Sequence, residues 1–265
     1  MTATQLNFER LELKYLVDEV VADRIRAQIS DVCSADCHST PGRRAGSNGY
    51  IINSLYLDSP GLAFHEAKER GDPDRVKLRV RTYSADSIAT LEIKRRRSNV
   101  IEKRRTVVDQ KDVGEAVQGI APLSQVRGQS RAVLDEFAMI AARSGATPKL
   151  SVRYVREAYE SQIDSYARVT FDRQIRVRPT LDWDLFPDDR GWCRFDDHWR
   201  LSLPTAPVVL ELKCETAAIP GWLTDVIHRN QLEQTSFSKY SIGTCLTQRS
   251  QGSDVGASRS LGALG

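Results

Sequence analysis

The strongest constraint on this chain is a period. Leucine, glutamate, an aliphatic residue and lysine follow one another three times, at Leu11-Glu12-Leu13-Lys14, Leu91-Glu92-Ile93-Lys94 and Leu210-Glu211-Leu212-Lys213. The two charges stand two residues apart. Residues so spaced do not share a face of a helix, but on a β-strand they do. Each copy therefore sets a carboxylate beside an ammonium on one face of a sheet, with aliphatic side chains on the other.

The alternation extends well beyond these copies. Leu11, Leu13 and Tyr15 alternate with Arg10, Glu12 and Lys14 over residues 8–15. Residues 50–58 read as a strand. Val76, Leu78 and Val80 then alternate with Lys77, Arg79 and Arg81, and Ala89, Leu91 and Ile93 with Thr90, Glu92 and Lys94, across a turn at 84–87. A further strand from Val100 to Val108 completes an antiparallel meander. Residues 149–160 and 166–177 predict a hairpin, and 207–216 a last strand.

Helices punctuate the strands. Asp18 predicts an N-cap for a helix to about residue 32, with Val20, Val21, Ile25, Ile29 and Val32 on its apolar stripe. Ser59-Pro60 predicts a cap and first-turn proline for a helix through Glu69. Residues 111–119 and 129–143 follow, the latter with Val133, Leu134, Phe137 and Ile140 at helical spacing. Two more run over 221–233, after Pro220, and 236–246. Residues 38–49 read as a loop, and 181–200 as a loop or irregular strand. We expect one α+β domain over 1–247 and a disordered Gly/Ser-rich tail over 248–265.

Composition narrows the class. The chain has 265 residues, 40% of them hydrophobic, enough for a real core. No apolar run approaches the ~18–20 residues that span a membrane, and the first residues lack a signal pattern. Five cysteines form no disulfide framework, so we expect reduced thiols and a cytoplasmic protein. Cys33, Cys37 and His38 lack further ligands at zinc spacing. Net charge is only +3. It is concentrated between Arg75 and Arg105, where eleven Lys or Arg stand against Asp86, Glu92 and Glu102.

A one-sided solvated sheet is the simplest explanation of charged strand faces. Two features argue against it. The charged faces hold Lys, Arg and Glu with few Thr or Ser, and cations outnumber acids in the first half, where like charges repel across strands. An antiparallel β-barrel resolves both. Its apolar strand faces would point outward under the helices, and its charged faces would line a wet lumen. Arg forks and Lys point charges suit the oxygens of a phosphate polyanion. Glutamates among them suit a hard divalent cation, Mg²⁺ or Mn²⁺.

The order of short motifs then becomes specific. KY at 14–15, SLYLD at 54–58, KLRVRTY at 77–83, LEIKRRR at 91–97, EKR at 102–104, VRYVREAY at 152–159, RVTFD at 168–172, LELK at 210–213 and FSKY at 237–240 together span Phe8 to Leu246. In this the chain resembles the triphosphate tunnel metalloenzymes of the CYTH-like superfamily, and within them the VTC (vacuolar transporter chaperone) domain, whose best-known members are polyphosphate polymerases. The resemblance implies a triphosphate tunnel and metal-dependent phosphoryl transfer on ATP, triphosphate, pyrophosphate or polyphosphate. It implies Arg79, Arg81, Lys94, Arg156 and Arg168 as catalytic cations, and Lys14, Lys77, Lys103 and Lys239 as phosphate-binding lysines. It implies Glu211 as metal ligand for Mn²⁺ or Mg²⁺, helped by Glu92 or Glu12. Related triphosphatases carry a glutamate where this chain has Arg10, which favours the VTC branch. Polymerase-type members often carry a lysine where this chain has Ser236. The membrane segments and partner domains of the eukaryotic proteins are absent, so a free-standing domain is expected.

Other readings stay open. Polyphosphate synthesis from the γ-phosphate of ATP is the leading expectation, with an inorganic or nucleoside triphosphatase, or a non-catalytic polyphosphate or inositol-phosphate binding module, as alternatives. Arg95-Arg96-Arg97 suggests nucleic acid, but no groove-reading motif and few interleaved aromatics accompany it. His65, His198 and His228 are lone histidines. Asp182, Asp184, Asp188 and Asp189 lack calcium-loop spacing, and no Walker-type glycine loop is present.

Overall fold

The computed structural model describes residues 10–38, 49–83, 88–98, 100–120, 129–196, 198, 205, 207–216 and 218–250. Among these it has ten strands: β1 (Arg10–Val17), β2 (Cys33–Ala35), β3 (Tyr50–Asp58), β4 (Asp74–Thr82), β5 (Ile88–Arg97), β6 (Val100–Asp109), β7 (Thr147–Ser161), β8 (Ala167–Pro179), β9 (Cys193–Arg194) and β10 (Val208–Glu215). Six α-helices accompany them: α1 (Glu19–Ile29), α2 (Ala63–Glu69), α3 (Val113–Gln118), α4 (Gln129–Ser144), α5 (Gly221–Arg229) and α6 (Lys239–Ser250). The strands form one antiparallel sheet in the order β1-β10-β8-β7-β3-β4-β5-β6, with β2 beside β7 and β9 beside β8. The fold is α+β.

The chain packs as two compact units. The first comprises Met1–Tyr50, Val155–Gln174 and Asp196–Phe237, and the second Ile51–Tyr154, Ile175–Phe195 and Ser238–Gly265. Each has its own core, made by the predicted alternation. In the first, Tyr15 and Val17 of β1, Val169 and Phe171 of β8, and Leu210 and Leu212 of β10 bury against Ala22, Ile25 and Ile29 of α1 and Leu223 and Val226 of α5. In the second, Leu78, Val80, Leu91 and Ile93 bury against Val113 of α3 and Val133, Leu134 and Phe137 of α4. The meander β4-β5-β6 is antiparallel throughout, joined at one end through Ser98, whose φ of 51° makes the tight turn. In each unit the apolar strand faces lie under helices, and the charged faces lie opposite.

Several boundaries differ from expectation. Asp18 does cap α1, its carboxylate accepting the Val21 amide at 2.7 Å. But α1 ends at Ile29, and Val20 is 67% exposed, because the sheet-facing position falls on Ala22. Pro60 does not open α2, which starts at Ala63 after Leu62 in the left-handed region. The cap is built at longer range. Asp58 accepts the amides of Ser59, Phe64 and His65, and Ser59 Oγ accepts that of Ala63. A buried carboxylate thus joins the Ser59 hydroxyl in satisfying the orphan amides. Helix α5 stops at Arg229, where Gln231 turns left-handed (φ 50°). Helix α6 starts at Lys239 and runs to Ser250, so residues 248–250 are helical rather than tail. The rest of the expected tail, the loop over 39–48 and the turn at 84–87 lie outside the described residues.

Candidate functional site

The charged strand faces gather the expected residues into two clusters, one in each unit. In the first unit the ladder sets Lys14 opposite Glu211 and Glu211 opposite Thr170; the next rung sets Glu12 opposite Lys213 and Lys213 opposite Arg168. Glu211 is buried and lies among three cations: Lys213 Nζ at 2.7 Å, Arg156 at 3.5 Å and Lys14 at 3.7 Å. Lys14 also reaches Glu12 at 3.2 Å and donates to the Phe237 carbonyl at 3.0 Å. Arg156 makes a fork onto Asp172, Nε and Nη2 at 2.6 and 2.7 Å, and Asp172 is fully buried. Arg168 pairs with Asp36 at 2.5 Å and Glu160 at 3.2 Å. Tyr50 donates its hydroxyl to the same Asp36 at 2.8 Å. Burial pushes the Lys213 ammonium below its ordinary value, against the pull of Glu211.

In the second unit Glu92 holds the corresponding place. Its rung reads Arg79, Glu92, Arg105, and the next reads Lys77, Lys94, Lys103. Arg79 binds the Glu92 carboxylate through Nε at 2.9 Å and through Nη2. Lys103 and Arg81 stand at 3.6 and 3.7 Å. Burial pushes the Glu92 carboxyl up, but Arg79, Arg81 and Lys103 outweigh it and hold it well below the usual carboxylate range. Arg79 stays charged by the same pairing, and its guanidinium also donates to the Tyr56 hydroxyl at 3.2 Å and lies over that ring. Tyr56 stacks on Tyr240 of α6, whose hydroxyl donates to Asp58 at 2.6 Å. Lys77 donates to Ser238 Oγ at 3.3 Å, and Lys239 sets its ammonium 4.8 Å from the centre of the Tyr154 ring.

Of the twelve expected site residues, eleven stand on the charged strand faces and Lys239 at the start of α6, divided between the two units. Lys14, Glu12, Arg156, Arg168 and Glu211 fall in the first, and Lys77, Arg79, Arg81, Glu92, Lys94, Lys103 and Lys239 in the second. Sequence reasoning did not assign site places to Lys213, Asp172, Asp36, Tyr50, Tyr56, Asp58 or Tyr240. Lys213 and Asp172 had a signal, being in the LELK and RVTFD stretches on the right strand parity. Asp36 and Tyr50 had none, since only the long-range contact to Arg168 marks them.

The donor chemistry limits how a metal is held. Among the described residues no three His, Cys, Asp or Glu side chains form a group able to hold a metal ion. Glu211, with Glu12 on the neighbouring strand, offers hard oxygen donors but not a full shell. That suits Mg²⁺ or Mn²⁺, which commonly take one or two carboxylates and complete the shell with water and substrate phosphate.

The VTC domain family model matches residues 9–248. No curated protein matches the chain. Among solved structures, a Bacillus halodurans protein provisionally named an adenylate cyclase aligns at 12% identity over 86% of this chain and 93% of its own, with a TM-score of 0.48. The PH1819 protein of Pyrococcus horikoshii aligns at 13% identity over 91% and 100%, with a TM-score of 0.43. A Vibrio parahaemolyticus protein, also provisionally named an adenylate cyclase, aligns at 11% identity over 89% and 98%, with a TM-score of 0.45. With a family model covering nearly its whole length, the chain belongs to the VTC domain family.

Proposed function

We propose that this chain is a metal-dependent phosphotransferase acting on triphosphates, and that it extends polyphosphate with the γ-phosphate of ATP. One observation carries the reading. Two buried glutamates, Glu92 and Glu211, each sit among three Lys or Arg side chains on charged strand faces. Such faces are self-repulsive unless a polyanion lies along them. In the proposal the charged faces line a tunnel, the barrel expected from the sequence.

The chain's residues divide the work. Arg79, Arg81, Lys94, Arg156 and Arg168 neutralise the equatorial oxygens of the transferring phosphoryl group, whose loose transition state needs electrostatic stabilisation more than covalent help. Lys14, Lys77, Lys103 and Lys239 hold the flanking phosphates. Glu211, with Glu12, would hold Mn²⁺ or Mg²⁺, and Glu92 is the second candidate. Held there, a divalent ion would supply charge neutralisation to the phosphate oxygens. Asp172 fixes the Arg156 guanidinium, and Tyr56 fixes that of Arg79. No side chain need act as nucleophile, because the terminal phosphate oxygen of the growing chain attacks the γ-phosphorus while the β–γ bridging P–O bond breaks and ADP leaves.

The runner-up is a triphosphatase, in which water takes the acceptor's place on the same binding surface. Ser236, where polymerase-type members often carry lysine, favours it. Incubating the protein with ATP and Mn²⁺, then measuring long-chain polyphosphate and free phosphate separately, decides. Polyphosphate supports the proposal, free phosphate alone replaces it with the hydrolase, and tight triphosphate binding without either product leaves a binding module.

A further inference from the structure

The charged face of the meander does not end at its lysines. Beyond the rung of Lys77, Lys94 and Lys103, the next rung of the same face sets Arg75 opposite Arg96. Both side chains are half-buried. Among the described residues neither comes within salt-bridge distance of a carboxylate. Arg75 donates to the Asp72 carbonyl at 2.9 Å and Arg96 to the Ser98 carbonyl at 2.7 Å. These backbone bonds fix the two guanidinium groups near each other without neutralising them. Burial, and then the Arg96 charge, push the Arg75 guanidinium below its ordinary value, with Asp72 opposing.

Two like charges directly across a ladder destabilise a sheet. Elsewhere on this face the cost is met by Glu92, which draws in Arg79, Arg81 and Lys103. At Arg75 and Arg96, among the described residues, only the Asp72 charge acts in this sense, on Arg75 and from beyond salt-bridge distance. Four residues separate Arg75 from Arg79, and four separate Arg96 from Glu92, so the arginine pair lies roughly 13 Å along the strands from the Glu92 rung. With a three-phosphate ligand seated on Arg79 and Arg81, as in the proposed function, the arginine pair would lie beyond it and be left to a longer chain.

We infer that Arg75 and Arg96 form a distal phosphate subsite that grips a long polyphosphate chain and leaves a triphosphate untouched. The inference rests on the proposed polyphosphate reading and adds a chain-length preference to it. Two forks presented side by side suit successive phosphates of an extended chain.

The test is Arg75→Gln with Arg96→Gln. Affinities of the wild type and the double variant are measured without metal, at one ionic strength, for inorganic triphosphate, long-chain inorganic polyphosphate and oligothymidylate. Melting temperatures without ligand check the fold, and removing the repulsion should leave them unchanged or higher. We expect polyphosphate affinity to fall about tenfold or more, as two charge-assisted contacts are lost. Triphosphate affinity should stay within about twofold, because its contacts lie at other rungs. Equal losses for triphosphate and polyphosphate, or no loss for polyphosphate, would overturn the subsite. An equal loss for oligothymidylate would make the pair a general polyanion contact and overturn the assignment as well. A wild type that binds neither triphosphate nor polyphosphate would bring down the proposed function itself.

Discussion

Replacing Glu92 by glutamine keeps its volume and removes a negative charge that Arg79, Arg81 and Lys103 share. The Glu92 side chain is 6% exposed, Arg81 12% and Arg79 21%. Breaking a buried pair by removing one partner costs roughly 3–5 kcal/mol. Here Arg79 keeps the Tyr56 hydroxyl and ring, and Lys103 is 48% exposed. The loss should therefore fall near the bottom of that range or below it, at about 2–3 kcal/mol. For a chain of this size that corresponds to a drop in melting temperature of about 4–10 °C. The effect should depend on pH with a definite sign. The folded-state pKa of Glu92 lies below its unfolded value, so its stabilisation is complete above about pH 4.3 and lost as pH falls through the depressed folded value. The gap between wild type and variant should be constant from pH 7 to 5 and narrow in stronger acid. Millimolar triphosphate should restore more stability to the variant than to the wild type, because it supplies the missing counter-charge. Calorimetric melting of both proteins over pH 3–7, with and without triphosphate, reads all three effects. A variant as stable as wild type at pH 7, or a gap that widens in acid, would refute the reasoning.

Two further outcomes are expected. Asp172→Asn removes the fully buried carboxylate beneath Arg156, and should cost about 3 kcal/mol of unfolding free energy by denaturant titration, because Glu211 at 3.5 Å replaces it only in part; an unchanged midpoint would show that Arg156 does not depend on it. Burial pushes the His65 imidazole down, outweighing Glu69, Glu66 and Asp58. The unfolded chain thus binds this proton first, and stability falls as pH drops below about 6.5. His65→Gln should flatten the slope between pH 6.5 and 5 by up to about 1.4 kcal/mol per pH unit; an unaltered slope would exclude His65 as its source.

The strands were legible because one period governs them. A residue pattern such as Leu-Glu-Leu-Lys fixes both the face and the side of the sheet, so Glu211, Lys14 and Arg79 could be assigned to charged faces from sequence. The register was not legible. That Lys14 stands opposite Glu211, or Arg75 opposite Arg96, depends on pairings between distant segments that no local pattern encodes. Helix ends were read less well where tertiary contacts do the capping. Asp58 accepts amides of α2 and is itself held by Tyr240, so Pro60 misled as a helix start although the Ser59 hydroxyl does accept the Ala63 amide. Val20 lay on the apolar stripe by composition, yet the sheet needs the smaller Ala22 at that contact. The carboxylates that hold the catalytic candidates, Asp36 for Arg168 and Asp172 for Arg156, come from other elements. The cations and the glutamates among them were visible in the sequence, but Asp36 and Glu160, the partners of Arg168, were not.

Titration of triphosphate onto Glu211→Gln with and without Mn²⁺ tests most directly whether the carboxylates and cations of these faces divide metal from phosphate. Metal-free affinity should persist or rise, because a negative charge has left a cluster of Lys14, Lys213 and Arg156. The strengthening of binding by Mn²⁺ should vanish, and metal-dependent turnover should fall at least ~100-fold. A variant that keeps the wild-type response to Mn²⁺ would contradict the assignment and pass the metal to Glu92 or Glu12.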